Sequence, residues 1–341
     1  MDTISLIGID LGKHCFHLHA QSASGRTVLR KKLTRKQMFT LLGNVPSCTV
    51  AMEACAGAHW VARRLQALGH QARLISPQYV KPFLQGNKND FADAQAICEA
   101  ASRPSMRFVS PHNETQQTIS ALHRVREALV RDRTGTVNQI HAFLLEFGVS
   151  LPKGAAVIRR LPVVLAAYDL PPQLVALLER LQAHFKYLDE QVRQIESELI
   201  RQLREDERSQ RLLEIPGIGP ITASVLATEL GDARQFACAR QFAASIGLVP
   251  RQYSTGGKPT MLGISKRGDK NLRRLLVQCA RTVMLQIERR TDRLGIWVRG
   301  LLTRRHSNVV ACALANKLAR IAWAILAKGT HYQGEQAVAA A

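Results

Sequence analysis

ISLIGID, residues 4–10, is a short run rich in isoleucine that ends on an acid. It predicts a buried strand with the Asp10 carboxylate at its end. In IGIDLGK (7–13) a glycine follows at once, so the chain turns beside that carboxylate. Working outward, CFHLHAQ (15–21) and RTVLRKKL (26–33) alternate, with a Ser24-Gly25 turn between them, and complete an antiparallel meander. Residues 35–43 predict a helix and SCTVAMEA (47–54) a strand. A helix over 57–68 stops at Gly69, QARLIS (71–76) is a strand, and a helix covers 90–102. Strands first, then strand, helix, strand and helix, predict a mixed α/β sheet flanked by helices.

After Pro111 the pattern is helical. Ile119, Leu122, Val125, Leu129, Ile140, Phe143 and Phe147 keep helical spacing. Residues 148–172 hold four prolines and two glycines and predict turns. From Leu174 through Leu178, Leu181, Phe185, Leu188, Val192 and Ile195 to Leu199, apolar residues alternate by three and four. That heptad seam predicts a coiled coil or long helical hairpin, and an intermolecular one would imply an oligomer. A third unit over 211–330 reads as helices around a Gly-rich loop at 254–263. The expected division is 1–145, 146–210 and 211–330, with a flexible tail at 331–341.

The chain of 341 residues carries 47 Lys/Arg against 26 Asp/Glu, a formal net charge of +21. Such an excess calls for a polyanionic partner, and nucleic acid fits it. Residues 251–341 alone hold 17 Lys/Arg and 4 Asp/Glu, so the C-terminal part is the better candidate for gripping phosphates. Seven scattered cysteines without a CxxC pair suit reduced, buried thiols rather than disulfides or zinc. The start, MDTISLIGIDLG, lacks the pattern of a secretory signal, and no stretch approaches a membrane span of about 20 apolar residues.

Acids are scarce in residues 1–105, which hold six; four of them are Asp10, Glu53 in AMEA (51–54), and Asp90 and Asp93 in KNDFADA (88–94). Asp10 and Glu53 end strands. Asp90 and Asp93, spaced i,i+3, share a helix face in its first turn. Singly, Asp90 could be a helix cap and Asp93 a solvated charge. Together, carboxylates without a His/Cys set point to hard cations, Mg²⁺ or Mn²⁺, and to phosphodiester chemistry. Sugar kinases and actin-like ATPases also carry an Asp-x-Gly strand, but the basic charge argues against them. His14, His17 and His19 read as ordinary strand residues.

Two further motifs lie downstream. In LLEIPGIGPITASVLATELGD (212–232), Gly217 and Gly219 between two helices resemble a helix–hairpin–helix, which offers backbone N–H groups to a phosphate. In GLVPRQYSTGGKPTMLGISKRGDKNLRRLL (247–276), the hydroxyls of Ser254 and Thr255 sit among Lys258, Lys266, Arg267, Arg273 and Arg274. A serine there either contacts a phosphate or attacks it.

In this order IGIDLGK, AMEA, NKNDFADA, IPGIGPITA, GLVPRQYSTGGK, ISKRGDKNLRRLL and ANKLARIAW (315–323) resemble the DEDD transposases of insertion-sequence family one-hundred-and-ten, and more closely its eleven-eleven branch. The resemblance spans nearly the whole chain. It implies a RuvC-like (RNase H-like) domain whose metal-binding tetrad maps to Asp10, Glu53, Asp90 and Asp93. It also implies a coiled-coil segment and a helical transposase domain with a nucleophilic serine, Ser254, or Thr255 as the fallback. Implied partners are donor and target DNA, a non-coding bridge RNA from the element, and other copies of the chain in dimers that pair into tetramers. The expected location is the bacterial cytoplasm at the nucleoid. Two rivals remain: a RuvC-like nuclease or resolvase hydrolysing with water, and a non-catalytic nucleic-acid-binding protein.

Overall fold

A computed structural model describes residues 3–87 and 89–334. Contacts divide it into two compact units, 1–117 and 118–341.

The first unit is a mixed six-stranded sheet. β1 (Ile4–Leu11), β2 (Cys15–Ser22) and β3 (Thr27–Thr34) form the antiparallel meander. α1 (Arg35–Gly43) follows, capped by a reciprocal pair: the Thr34 hydroxyl accepts from Gln37 N, and the Gln37 side chain accepts from Thr34 N. β4 (Thr49–Glu53) then runs parallel to β1, α2 (Ala58–Ala67) returns the chain, and β5 (Gln71–Ile75) lies parallel to β4. A short α3 (Pro77–Val80) leads into α4 (Asp90–Ala101), and a two-residue β6 (Phe108–Val109) closes the order β3-β2-β1-β4-β5-β6. Strand periodicity predicts all but β6, which is too short to show a period.

The pleat sorts the sheet's residues between two faces. Ile7, Ile9, Val50, Met52 and Leu74 pack with Met38 and Leu42 of α1 and Val61 and Leu65 of α2. On the other face Ala51 and Ile75 pack with Ala96, Ile97 and Ala100 of α4. Gly8 is the point of closest approach. A methyl group there would stand 2.3 Å from Ala94 O and 2.7 Å from Cys98 N. Only glycine lets α4 lie this close to β1.

The second unit is built of helices around one small hairpin. α5 (Glu114–Leu145) begins at the end of the first unit; α6 (Leu161–Ala166) and α7 (Pro172–Glu205) follow a 3₁₀ turn. The heptad seam lies on α7, one unbroken helix of 34 residues. Leu178, Phe185, Leu188, Val192 and Leu199 are buried inside this single chain, the first two against Val137, Ile140 and Leu144 of α5. Ion pairs reinforce the α5–α7 contact, Arg133 to Asp189 at 2.5 Å and Arg126 to Glu196 at 2.5 Å. Because its own chain covers the seam, the seam carries no argument for an oligomer. α5 is buried only in part along the face its apolar spacing suggests, at Ile140. Val125, Phe143 and Phe147 are exposed, whereas Ser120, His123 and Thr136 are buried. The polar face turns inward because His123 Nε2 meets Ser224 Oγ at 2.9 Å.

α8 (Glu207–Leu213), α9 (Pro220–Leu230), α10 (Ala239–Ser245), α11 (Lys270–Leu285), α12 (Arg293–Leu302) and α13 (Ser307–Lys328) share one large core. Contrary to the sequence expectation, α13 is long and apolar enough to cross a membrane. Val310, Leu314, Leu318, Ala322 and Ile325 instead make it a central core helix. The predicted Gly-rich loop is also revised: β7 (Pro250–Thr255) and β8 (Lys258–Ile264) form a β-hairpin. The expected flexible tail begins with anchored residues, since Glu214 accepts from Tyr332 N at 2.9 Å and meets His331 Nδ1 at 2.7 Å; residues 335–341 lie outside the described ones. Among the cysteines, Cys48, Cys98 and Cys279 are buried, but Cys55 and Cys238 are exposed.

Burial, aided by the Arg126 charge, lowers the His123 pKa from 6.5 to about 4. The unfolded chain takes up this proton from pH 6.5 downward, the folded chain only near 4. Stability therefore falls as pH drops through that window, by about 3 kcal/mol in total. Glu229, pushed up to about 7, works in the opposite sense as pH rises from 4.5. Urea unfolding of wild type and His123→Gln at matched pH values separates the two: the variant should lose the acid-side decline. An equal decline in both proteins would refute the assignment.

Candidate active site

The close packing at Gly8 brings three acids together. Asp10 lies two residues beyond Gly8 on the same strand face, toward α4. Asn89 caps α4 by accepting from Ala92 N at 2.9 Å, so Asp90 is not the cap and its carboxylate is released. Asp90 and Asp93 then project from the first helical turn. Among the described residues, Asp10, Asp90 and Asp93 are the set whose ligand atoms all lie within 4.8 Å of one another. Asp10 and Asp93 are half-buried and Asp90 is exposed, so the group opens to solvent on one side.

Glu53 stands apart from this set. The register pairs Ile9 with Met52, which sets Glu53 beside Asp10 on the neighbouring strand. Its face is that of Ala51, the α4 side. The Cys55 thiol senses both acids: burial of the sulfur, then the charges of Glu53 and Asp10, hold its pKa above the usual thiol range. Glu53 therefore flanks the three aspartates. An all-oxygen donor set of this kind suits a hard divalent cation, as the sequence of the acids suggests.

His17 is more than the ordinary strand residue expected. It pairs with Asp10 across β1 and β2, is buried, and sets Nδ1 3.5 Å from Asp90 Oδ2. Its ring meets Phe91 edge-on at 4.8 Å, and the Arg30 guanidinium lies over the Phe91 ring, 4.6 Å from its centre. These contacts fix the first turn of α4 laterally, as Gly8 fixes its depth. The cross-strand spacing of Asp10 and His17 around the Gly12 turn is the signal for it in the sequence. His14 and His19 make no contact with the three aspartates that the structure shows.

The second group of candidate residues lies in the other unit. Ser254 and Thr255 end β7, and Gly256 and Gly257 form the turn with φ of 55° and 78°. Positive φ at both positions gives a two-residue hairpin its tight turn. Ser254 is exposed and its Oγ accepts from Gln252 Nε2 at 2.9 Å. Thr255 faces the opposite side of the ribbon, paired with Lys258. Lys258, Lys266, Arg267 and Arg274 are exposed. Arg274 also reaches Glu127 at 3.7 Å. Arg273 instead ties two loops together, its Nη1 donating to Ile246 O at 2.9 Å and Arg267 O at 2.8 Å. Gly217, with φ of 79°, packs against Cys279 O, while Gly219 caps α9 and has open space before it.

Gly8→Ala should push α4 away from β1 and separate Asp90 and Asp93 from Asp10. The expected cost is about 1–3 kcal/mol of stability, with weakened Mn²⁺ binding. Gly43→Ala, where a methyl group meets nothing within 4 Å, serves as control. Calorimetric Mn²⁺ titration and thermal melts check both, and wild-type Mn²⁺ affinity in Gly8→Ala would contradict the packing argument.

Comparison with known proteins agrees with this geometry. Residues 7–148 match a transposase family of the DEDD type, and residues 209–294 match the family described as Transposase IS116/IS110/IS902. The chain is 62% identical to the transposase for insertion sequence element IS1328 of Yersinia enterocolitica, over 97% of this chain and 99% of that one. It is 47% identical to a probable family 20 transposase of Pseudomonas aeruginosa, over 97% and 99% of the two chains. It is 40% identical to the transposase for insertion sequence element IS1111A of Coxiella burnetii, over 98% and 92%. Identity at this level along nearly the full length shows that the chain belongs to the IS110-type family of insertion-sequence transposases, enzymes that cleave and rejoin DNA.

Proposed function

We propose that this transposase recombines DNA through a serine nucleophile, Ser254, and a divalent metal, Mg²⁺ or Mn²⁺, held by Asp10, Glu53, Asp90 and Asp93 on an RNase H-like (RuvC-like) domain. The observation that carries the reading is the convergence of Asp10, Asp90 and Asp93 on one oxygen-only site in a chain of this family. A divalent cation held by these carboxylates would supply charge neutralisation at a scissile phosphate. His17, through Asp90 and Phe91, keeps the first turn of α4 and its aspartates in position.

Ser254 Oγ attacks the phosphorus. A new P–O bond forms, the bridging P–O bond to the departing deoxyribose oxygen breaks, and the hydroxyl proton passes to that oxygen through solvent. The Gln252 amide, donating to Ser254 Oγ, leaves the hydroxyl hydrogen free to point toward an acceptor. Exposed Lys258, Lys266, Arg267 and Arg274 contact nucleic-acid backbones, with Arg273 supporting them from behind and Gly217 and Gly219 offering the α9 N-terminus. The serine of one subunit serves the metal site of another in a homodimer that assembles into a tetramer. A non-coding bridge RNA encoded by the element selects donor and target DNA. The protein works in the bacterial cytoplasm, at the nucleoid.

Ser254→Ala should abolish both recombination and the covalent protein–DNA adduct, whereas Asp10→Ala should abolish cleavage while leaving DNA binding intact. Denaturing gels of labelled DNA trapped with the protein read both. Full recombination by Ser254→Ala without loss of adduct transfers the role to Thr255; cleavage without any adduct supports hydrolysis by water; and binding without cleavage under any RNA supports a non-catalytic binder. Sequencing of RNA that copurifies with the protein should recover one discrete species encoded beside the gene. Recovery of bulk cellular RNA alone would count against RNA guidance.

A further inference from the structure

The second unit contains a cavity of about 260 Å³ between α5, α9 and the N-terminal end of α11. That is below the roughly 300–1,000 Å³ typical of drug-sized ligand pockets, so its occupant is a single small ring system rather than a polymer. Ser120, Val225 and Thr228 form the walls, and Arg124 and Lys270 are exposed at the rim.

Three carboxylates reach this cavity, and two are already engaged. Asp269 caps α11, accepting from Leu272 N at 2.6 Å, and Glu127 pairs with Arg274. Glu229 differs. Among the described residues its carboxyl has no hydrogen bond or ion pair, and it is half-buried and faces the cavity. A half-buried carboxyl without a partner, facing a cavity, is free to accept from a ligand seated there.

The lining selects the kind of ligand. A hard cation would need converging acids, and among the described residues these three do not form such a set. A free phosphate inside the cavity would face carboxylates. An apolar molecule would leave the Glu229 carboxyl without a partner. What remains is a neutral, flat, hydrogen-bonding ring whose attached phosphate can reach Arg124 and Lys270. We propose that this cavity is a binding pocket for a single unpaired nucleobase with an exocyclic amine: cytosine, adenine or guanine. Glu229 accepts from that amine and bonds the adjacent ring nitrogen, and Asn271 at the rim, whose Oδ1 accepts from Arg274, offers its amide nitrogen as a second contact. Burial and the neighbouring Asp269 charge push the Glu229 pKa to about 7, so near neutral pH the carboxyl both donates and accepts. Strand exchange creates unpaired bases, and a base removed from its stack needs such a pocket. Base binding here depends on neither Ser254 nor the aspartate cluster.

The four deoxynucleoside monophosphates, titrated by ligand-observed NMR into the full-length chain, test it. The measurement is repeated in Ser254→Ala, where nucleotide binding should persist even if the proposed chemistry fails. One or more of dCMP, dAMP and dGMP should bind at least about tenfold tighter than dTMP, the lower range a bidentate base contact supplies. Glu229→Leu should remove the preference, and Glu229→Gln, which keeps a donor and an acceptor, should restore most of it for dCMP and dAMP. Arg124→Gln should weaken all four equally. If Glu229→Leu fails to fold by thermal melting, Asn271→Ala takes its place and should lower the preference. Equal binding of all four and of deoxyribose 5′-phosphate would overturn the proposal in favour of a phosphate site. Mn²⁺ binding lost in Glu229→Leu would overturn it in favour of a metal site, and no binding at roughly 10 mM nucleotide would overturn it outright.

Discussion

The approach of α4 to β1 at Gly8 is the constraint on which the first unit depends. A helix normally rides on a sheet at the distance set by side chains between them. Here one position has none, and the backbone of Ala94 and Cys98 occupies the space. The pitch of α4 then carries its first turn to the end of β1, where Asp10 waits. Everything else nearby serves this geometry. Asn89 starts the helix at the right residue, His17 and Phe91 hold its first turn sideways, and Ala94, Ala96 and Ala100 keep its inner face small. Bringing three carboxylates within 4.8 Å costs repulsion, which the sheet and helix must withstand through packing.

Much of the sheet and part of the acidic site can be read from the chain alone, for a physical reason in each case. Strands β1 and β4 announce themselves because burial on both faces demands apolar runs, and β2 because its residues alternate. Asp10 is legible because an acid that ends such a run has little other use, and Asp90 with Asp93 because i,i+3 spacing places both on one face. Glu53 sits beside Asp10, where strand order implies, but outside the tight set of three aspartates. His17 escapes single-strand alternation because its role comes from pairing across β1 and β2; only its spacing from Asp10 around the Gly12 turn reports it.

The second unit is less legible, and its departures from expectation share a cause. The heptad seam of α7 is real, yet spacing alone cannot say whether its partner is another copy or another helix of the same chain. The α5 face follows its apolar spacing only in part because His123 and Ser120 are buried by partners about a hundred residues away. The hairpin reads as a loop because all of β7 is exposed on both faces, and a strand that touches no core has no reason to alternate. The hydrogen bonds that position Arg273 likewise depend on loops meeting in space.

The exposure of the hairpin bears on how such a protein can change over time. Residues 250–263 are all exposed and none joins the unit's buried core. A core position is answerable to every neighbour it packs against; these positions answer only to the turn at Gly256-Gly257 and to whatever the ribbon touches. Selection on this segment therefore acts through its partners rather than through foldability. The scaffold can drift slowly under its packing constraints while the ribbon is retuned, or replaced by another of the same length, without asking the rest of the chain to adjust.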